Sequence, residues 1–448
     1  MAGSRKTAKS GDGKGSKTRG RRYHGRLADA MKALLPCQLL PLLPKDGRTR
    51  WTSLLLVLTA LLMSWGSGST LQDRFEAARG CVLRWYPGRR RPGASYEGFI
   101  ARLRRKGRPL ARMVAESFRR RVRDLAVERG CWEIGGWVPF RVDSSKVDAT
   151  MTVRNERALG SCSRDKSWPQ MILTVVEHMG IGLPWSFMRG HARSSERRHL
   201  LGLLCTLVKN ALLVADAGFT GYAFWKRVNA GGHAFLIRVG SNVKLIRKLG
   251  LSAEEKEDGI VWVWPLDQQR KNQPPVALRW IRVIDERGRT MHLLTNILDP
   301  VQLTDATAAM LYKMRWGIEV LYRSLKQTLA RRKMLSDSPR NARMELTWSV
   351  LGLWALLLVK ARRCKHAVMQ GVAQALRVVR RGMAKADLNI ERALSRLKPD
   401  RYTRRNPKKA RHWPHKKKES PPGEPEARNA TEAECLLAEE LRTQSAAA

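Results

Sequence analysis

The hydrophobic pattern changes its period at Trp137, and this change sets the order in which helices and strands follow one another. Before this point, from Leu27 to Gly130, apolar residues recur at intervals of three and four, which predicts helices. The predicted helices cover residues 27–40, 54–63, 71–86, 96–105 and 111–127. We therefore predict an all-α region at residues 27–130, whose last helix carries one strongly cationic face.

Beyond Trp137 the apolar residues occur in short runs, a pattern typical of β-strands. The first five runs cover residues 137–142, 171–176, 184–188, 212–215 and 235–239, with helical stretches at 196–208 and 222–228. The order strand, strand, strand, helix, strand, helix, strand predicts an α/β layer around a mixed sheet. Four further runs without a helix predict a β-rich insertion, at residues 243–246, 260–264, 276–284 and 291–297. Helices then return at residues 304–329, 344–361, 366–380 and 387–397.

The two ends of the chain differ from this pattern. Residues 1–26 form a basic arm and residues 398–448 a basic tail, and we expect both to be largely disordered because they contain few apolar residues. The predicted units between them are a helical region (27–130), an α/β core in two parts (131–241 and 299–362), a β-strand insertion (242–298) and C-terminal helices (363–397).

The charge balance indicates the class of partner. Lysine and arginine number 85 against 39 acidic residues, which gives a formal net charge of +46 at pH 7. Such a charge favours a polyanion as partner, nucleic acid first and an anionic membrane surface second. A hydrophobic content of 43% with 15 tryptophans excludes a wholly disordered polycation. The seven cysteines are scattered without a C-x-x-C pair, which indicates a reducing compartment, no disulfide framework and no zinc site.

Two apolar runs, residues 54–63 and 346–359, are shorter than the roughly 20 residues that a membrane-spanning helix needs. We predict that both are buried core helices, that the protein has no membrane partner and that it is cytoplasmic. A basic membrane-associated protein, anchored by these two runs, is the competing interpretation.

Two aspartates directly follow predicted strands. Asp143 follows the run 137–142, and Asp216 follows the run 212–215. Ligands bind at strand ends in α/β sheets, so the two carboxylates form a candidate site. For either residue alone, the alternative is a helix-cap or turn aspartate.

A polar stripe follows one face of the predicted helix at residues 304–329. Its members, at positions i, i+3, i+7 and i+14, are Tyr312, Arg315, Glu319 and Lys326. At about 100° per residue they fall within a wedge of roughly 60°, so the helix presents a carboxylate between a phenol and two cations. An apolar stripe beside them predicts that this helix packs on the core. The alternative is a solvated face with ordinary i,i+4 ion pairs.

The spacing Tyr-x2-Arg-x3-Glu-x6-Lys resembles the signature of DDE transposases of the insertion-sequence-4 type, and the sequence matches it at all four positions. The segments around Asp143 (VDSS) and Asp216 (VADAGF) resemble the first and second catalytic aspartate regions of that family, in the right order. The resemblance covers about residues 137 to 345. It departs from the family at Ala330-Arg331-Arg332, where many relatives turn at a glycine.

The resemblance implies an RNase H-like core in which three carboxylates hold two Mg²⁺ ions, with Mn²⁺ as a substitute. The implied metal ligands and catalytic residues are Asp143, Asp216 and Glu319. Carboxylate oxygens suit these hard cations, and two such ions support in-line displacement at phosphorus. The resemblance also implies that Tyr312, Arg315 and Lys326 grip DNA phosphates. Trp316 is a candidate for stacking on a displaced base, with a core anchor as the alternative.

The resemblance further implies a transposase that cuts double-stranded DNA at the terminal inverted repeats of an insertion sequence and joins the ends to target DNA. We expect the helical region 27–130 to contact DNA, a homodimer in the synaptic complex, association with the nucleoid and no small-molecule substrate. A catalytically inactive, transposase-derived DNA-binding protein is the first alternative, and the membrane-associated protein is the second.

Overall fold

A computed structural model describes residues 25–36, 50–86, 91–161, 168–251, 259–284, 288–363, 371–398 and 423–447. Most of the predicted basic arm, residues 1–24, lies outside these ranges. So do the segment 399–422 of the predicted tail and the first part of the helix predicted at 366–380.

Fourteen helices occur in the described residues. They are α1 (Leu27–Leu34), α2 (Ser53–Trp65), α3 (Leu71–Trp85), α4 (Tyr96–Glu128), α5 (Val153–Leu159), α6 (Glu196–Leu203), α7 (Tyr222–Ala230), α8 (Leu266–Gln269), α9 (Asp305–Met314), α10 (Gly317–Arg323), α11 (Pro339–Arg363), α12 (Val372–Ala384), α13 (Ile390–Ser395) and α14 (Glu432–Ala447). Ten strands occur in the same residues: β1 (Val138–Asp148), β2 (Gln170–His178), β3 (Leu183–His191), β4 (Ala211–Ala215), β5 (Ala234–Val239), β6 (Lys244–Arg247), β7 (Ile260–Val263), β8 (Val276–Ile284), β9 (Thr290–Thr295) and β10 (Glu426–Asn429).

The strands form one mixed sheet in the order β10-β6-β7-β8-β9-β5-β4-β1-β2-β3. Strand β2 runs antiparallel to both of its neighbours, β1 and β3, whereas β4 runs parallel to β1 and β5 parallel to β4. The predicted order of strands and helices through β5 is observed with one correction, because helix α5 lies between β1 and β2, where no helix was predicted. The insertion strands also lie where they were predicted, and they extend the same sheet because β9 pairs with β5.

Alternation along β4 shows how the sheet is covered. Leu213 and Ala215 join the large core that contains α2, α4 and α11, whereas Leu212 and Val214 join a second cluster that contains α9. Because successive residues of a strand point to opposite faces, helices cover both faces of the sheet. The α9 face is the one on which the polar stripe of that helix meets the sheet.

Helix α4 corrects one prediction. The sequence pattern predicted two helices, 96–105 and 111–127, but residues Tyr96–Glu128 form one helix that continues through Pro109. Leu103 and Leu110, on the two sides of the proline, are both buried in the same core. Their packing holds the helix together at a residue that normally breaks it.

Both apolar runs are buried among other helices. Helix α11 has the length and composition of a membrane-spanning helix, yet 83% of its most apolar window is buried inside the protein. The Trp65 indole N–H of α2 donates to the Gly352 carbonyl of α11 over 2.8 Å, and a Cβ at Gly352 would overlap Ser64. This close approach of two helices is the packing that the prediction of core helices required.

The C-terminal residues correct another prediction. A largely disordered tail was expected, but β10 pairs in parallel with β6, and Ala438 and Leu441 of α14 are buried in the main core. Four residues of β10 are too few, and too polar, to show an alternating pattern. The strand is visible only once β6 supplies its partner.

Glu434 holds β10 and α14 in place, and its substitution should weaken their docking on the rest of the protein. Its buried carboxylate accepts hydrogen bonds from Arg428, Thr431 and Gln269, and the bond from Arg428 contributes most to lowering the pKa of Glu434 to about 2. Because the folded pKa lies below the ordinary value of 4.5, this stabilisation is present above pH 4.5 and is lost as the pH falls toward 2.

We expect Glu434→Gln to weaken the docking of β10 and α14 by about 1–2 kcal/mol at neutral pH, discounted because the side chain of Arg428 is half-exposed. Hydrogen exchange of the β10 amides measures this loss. The exposed Glu432 of the same helix provides the control, and equal exchange in Glu432→Gln and Glu434→Gln would contradict the assignment.

Candidate active site

Asp143 and Asp216 lie on adjacent parallel strands. The last registered pair of β1 and β4 is Arg141 with Val214, and each aspartate comes two residues later. Asp216 follows β4 directly, as predicted, and its Oδ1 accepts from the Ala217 amide at 2.8 Å. Asp143 is a correction, because its strand continues to Asp148 in register with β2. It therefore lies within a strand, at the height where β4 ends.

The helix that carries the polar stripe is not continuous, which corrects the prediction of one helix at 304–329. Helix α9 ends at Met314, α10 begins at Gly317, and residues Ser324–Thr328 form a π-helical turn. The wedge of about 60° calculated for a regular helix therefore does not describe these side chains. The positions of these side chains are instead given by their contacts with the strands that carry Asp143 and Asp216.

Three of the four stripe residues reach the strands that carry the aspartates. The Tyr312 hydroxyl donates to Asp216 Oδ1 at 3.3 Å, and Arg315 Nη2 lies 3.3 Å from Asp216 Oδ2. Lys326 Nζ donates to the Ser145 hydroxyl, two residues beyond Asp143, at 2.7 Å. The exposed Glu319 lies between them in sequence, on α10. The predicted stripe therefore lies along the edge where the aspartates are.

The pKa of Asp143 depends in part on the charges of the other two acids, Asp216 and Glu319. Burial raises the pKa of Asp143, and the negative charges of Asp216 and Glu319 raise it further, while the Ser144 amide and the Arg315 guanidinium lower it. Each of these two carboxylates disfavours the ionised form of Asp143. The site therefore concentrates negative charge that a cation would relieve.

Arg315 is the buried cation of the site. Its side chain is only 7% exposed, its guanidinium lies over the rings of Tyr312 and Trp316, and its Nε atom is buried without a hydrogen-bond partner in the described residues. Burial raises the pKa of Tyr312 to about 12, so its hydroxyl stays protonated at neutral pH. Trp316 is 57% exposed, so the alternative of a core anchor is wrong.

Sequence reasoning missed Glu196 and Tyr322. Glu196, in the first turn of α6, has a pKa raised by burial and by the charges of Asp143 and Asp216. The buried Tyr322 hydroxyl of α10 donates to the Asp143 carbonyl at 2.7 Å and to the Leu173 carbonyl at 3.0 Å. Tyr322 lies three residues after Glu319, but no spacing rule marks a buried tyrosine as a support for a strand.

Sequence reasoning also missed Arg141 and Glu177. The two residues are opposite one another on β1 and β2, and their side chains form a buried ion pair. The only signal was a charged residue inside one predicted strand (Arg141) and another directly after the next (Glu177), and alternation alone does not tell a buried charge from a solvated one.

A mixed sheet with two aspartates on adjacent parallel strands, joined by a helix bearing glutamate, tyrosine, arginine and lysine, defines a DDE-type domain. Residues 140–355 match the family described as the transposase DDE domain. This region of the chain is similar to that family, and the match to a transposase of an IS4 element supports the insertion-sequence-4 type that the sequence predicted.

Two curated relatives are similar to part of the chain. The putative transposase y4zB of Sinorhizobium fredii is 30% identical over 168 residues, 36% of this chain and 46% of the relative. The transposase InsG for insertion sequence element IS4 of Escherichia coli is 30% identical over 194 residues, 41% of this chain and 42% of the relative. The chain thus spans less than half the length of both relatives. A piggyBac transposase synaptic complex with hairpin DNA, solved by cryo-EM, aligns over 83% of this chain and 82% of its own at 10% identity, with a TM-score of 0.41.

Proposed function

We propose that this protein is a transposase that cuts double-stranded DNA at the terminal inverted repeats of an insertion sequence and joins the freed ends to target DNA. The observation that carries the proposal is the meeting of Asp143, Asp216 and the Tyr312–Lys326 stripe at one edge of the sheet. The match of residues 140–355 to the transposase DDE domain supports it.

The fold supports an RNase H-like core for this activity. Strands β3-β2-β1-β4-β5 form a mixed half-sheet, antiparallel on one side of β1 and parallel on the other. We propose that residues 131–241 and 299–362 form this core and that residues 242–298 are its insertion. The parallel pair β1 and β4 supplies the edge at which both aspartates lie.

The donor set fits divalent magnesium. Carboxylate oxygens are the ligands that Mg²⁺ and Mn²⁺ prefer, and Asp143, Asp216 and Glu319 together supply three carboxylates whose charges a dication offsets. In the described part of the chain no three acids, histidines or cysteines lie close enough to form a ready metal cluster. Asp216 and Glu319 have exposed carboxylates, so they can turn toward a cation without repacking of the core. Two bound ions would supply activation of the attacking oxygen and stabilisation of the leaving oxygen.

The residues of the chain itself bind and orient the DNA. The Arg315 guanidinium is held beside Asp216 at this edge of the sheet, where its positive charge attracts a phosphate. Lys326 adds a point charge beside Ser145, and the protonated Tyr312 hydroxyl adds a neutral donor. The exposed ring of Trp316, stacked on Arg315, offers a surface for a displaced base.

The helical region 27–130 supplies a second surface for DNA. Helix α4 buries one face in the core, and its solvent side carries eight exposed cations, Arg104, Arg105, Lys106, Arg108, Arg112, Arg120, Arg121 and Arg123. Such a row neutralises phosphates regardless of base sequence, so its contribution to affinity should fall steeply with salt. A homodimer that joins two element ends, and association with the nucleoid, follow from the same proposal.

Cleavage of a labelled duplex that carries the flanking inverted repeat tests the proposed function. We expect nicking at the repeat boundary with Mg²⁺ but not with Ca²⁺, and Glu319→Gln should abolish nicking while gel-shift binding is retained. The exposed Glu76 provides the matched control Glu76→Gln, which should cleave normally.

Each other outcome favours a named alternative. Binding by the wild-type protein without nicking would favour the inactive DNA-binding relative. Absence of binding, with retention in carbonate-washed membranes, would favour the membrane-associated protein.

A further inference from the structure

Arg141 connects the strand of Asp143 to the break in the helix of Glu319. The Arg141 side chain is only 9% exposed, and its Nη1 donates to the Met314 carbonyl, the last residue of α9, at 2.8 Å. The next two residues, Arg315 and Trp316, form the break before α10. Arg141 is two residues before Asp143 on β1, so its side chain projects on the same side of the strand as the Asp143 side chain.

Gly317 makes this contact possible. A Cβ at Gly317, the first residue of α10, would overlap the guanidinium of Arg141. Glycine disfavours a helix by up to about 1 kcal/mol relative to alanine, so its presence here has a local cost. The close approach of the guanidinium explains why the residue has no side chain.

Glu177 fixes the guanidinium in this orientation. Arg141 Nε donates to Glu177 Oε2 at 3.0 Å, and Arg141 Nη2 donates to Oε1 at 2.5 Å. Glu177 is 2% exposed and stands directly opposite Arg141 on β2. A two-point, charge-assisted contact holds both the position and the plane of the guanidinium, which a single bond cannot do. Nη1 therefore points at the helix break.

We propose that Arg141, held by Glu177 and accommodated by Gly317, is a positioning residue for the acids of the active site. It fixes the start of α10, and with it Glu319 and Arg315, relative to Asp143 on β1. This inference rests on the proposed function. A misplacement of about 1 Å can reduce catalysis about 100-fold, and loss of a supporting contact typically weakens metal binding about 10- to 100-fold.

The test compares alanine at two helical glycines. Gly317→Ala displaces the guanidinium, whereas a Cβ at Gly80 of α3 meets only an Arg84 nitrogen at 3.7 Å, an ordinary contact. We expect Gly317→Ala to reduce the single-turnover cleavage rate about 100-fold and the affinity for Mn²⁺, measured by electron paramagnetic resonance, about 10-fold. Gel-shift affinity should fall much less than the cleavage rate in Gly317→Ala, because α4 supplies a separate DNA surface, and Gly80→Ala should match the wild type throughout.

A second variant separates positioning from folding. Arg141→Lys keeps a charge for Glu177 but cannot also reach the Met314 carbonyl, so it should fold and still show weakened Mn²⁺ binding. In the double variant Arg141→Lys/Gly317→Ala the penalty of the alanine should shrink, because the atoms that it overlaps are gone. Full additivity of the two losses would overturn the inference, as would losses that follow the melting temperature.

The outcomes also separate this inference from the proposed function. If the wild-type protein binds Mn²⁺ but does not cleave, the proposed activity fails and the Mn²⁺ affinities of Gly317→Ala and Gly80→Ala still decide the role of Arg141. Equal affinities in those two variants would overturn the inference. If the wild-type protein neither cleaves nor binds Mn²⁺, both proposals are overturned.

Discussion

Asp216→Asn is expected to reduce Mg²⁺-dependent cleavage about 1,000-fold while DNA binding persists. Metal stabilisation of a transition state is worth several kcal/mol, and about 1.4 kcal/mol corresponds to a factor of ten in rate. Asparagine keeps an oxygen for the Ala217 amide and the Tyr312 hydroxyl, so the local fold should survive. What it removes is the negative charge, which a metal ion and Arg315 share.

Single-turnover cleavage and gel-shift affinity, measured on the same protein, check this expectation. Asp267→Asn provides the control, because Asp267 is exposed on α8 in the insertion. The loss of charge at Asp216 also releases the buried Arg315 guanidinium from its ion pair, so DNA affinity should stay the same or rise. A fall in DNA affinity equal to the fall in rate would contradict a metal-binding role for Asp216.

Most of the fold could be predicted from sequence because the spacing of apolar residues within each short segment indicates whether it forms a helix or a strand. The strands from β1 to β5, the helices α6 and α7 between them and the insertion strands follow short apolar runs that alternate with turns or helices, whereas helix α5 was not predicted. Helix α4 and strand β10 could not be predicted, because distant packing decides them. Packing of the core on both sides of Pro109 outweighs the tendency of proline to break the helix. Pairing with β6 holds the polar β10 in an extended conformation.

The candidate site, like the fold, has a part that could be predicted from sequence and a part that could not. Asp216 could be placed from its strand, and spacing alone singled out Tyr312, Arg315 and Lys326, although the helix that carries them is broken. The break could not be predicted, and the Arg141 guanidinium that donates to the Met314 carbonyl at this break comes from about 170 positions earlier in the chain. Contacts of this kind join segments that no periodic pattern relates.

The backbone conformation of Ala330 is another feature that the residue type alone does not predict. Ala330 has φ +55°, a left-handed conformation that glycine adopts without strain, and it occupies the place where the sequence departs from the glycine turn of its relatives. The neighbouring Arg331 explains how the turn is held, because its guanidinium donates to the Leu329 carbonyl at 2.8 Å.

Arg331→Met is expected to destabilise the protein by about 3–5 kcal/mol. Arg331 is 2% exposed, and its Nη2 donates to three carbonyls at the C-terminal end of α2, those of Met63, Ser64 and Gly66. The Met63 carbonyl keeps the Gly66 amide as a donor, whereas the Ser64 and Gly66 carbonyls lose Arg331. Each buried carbonyl left without a donor costs about 1–3 kcal/mol, and the flexible methionine partly fills the space. Burial lowers the pKa of Arg331 to about 9, so it remains protonated at neutral pH and keeps all its donors.

Urea denaturation followed by tryptophan fluorescence measures the loss, and the next residue supplies the control. Arg332 is exposed, so Arg332→Met removes the same charge from the same turn without uncapping α2. Equal midpoints for Arg331→Met and Arg332→Met would contradict the assignment. A large difference would show that a single arginine after the segment Ser324–Thr328 caps a helix of the region 27–130. The packing of that region on the core would then depend on Arg331.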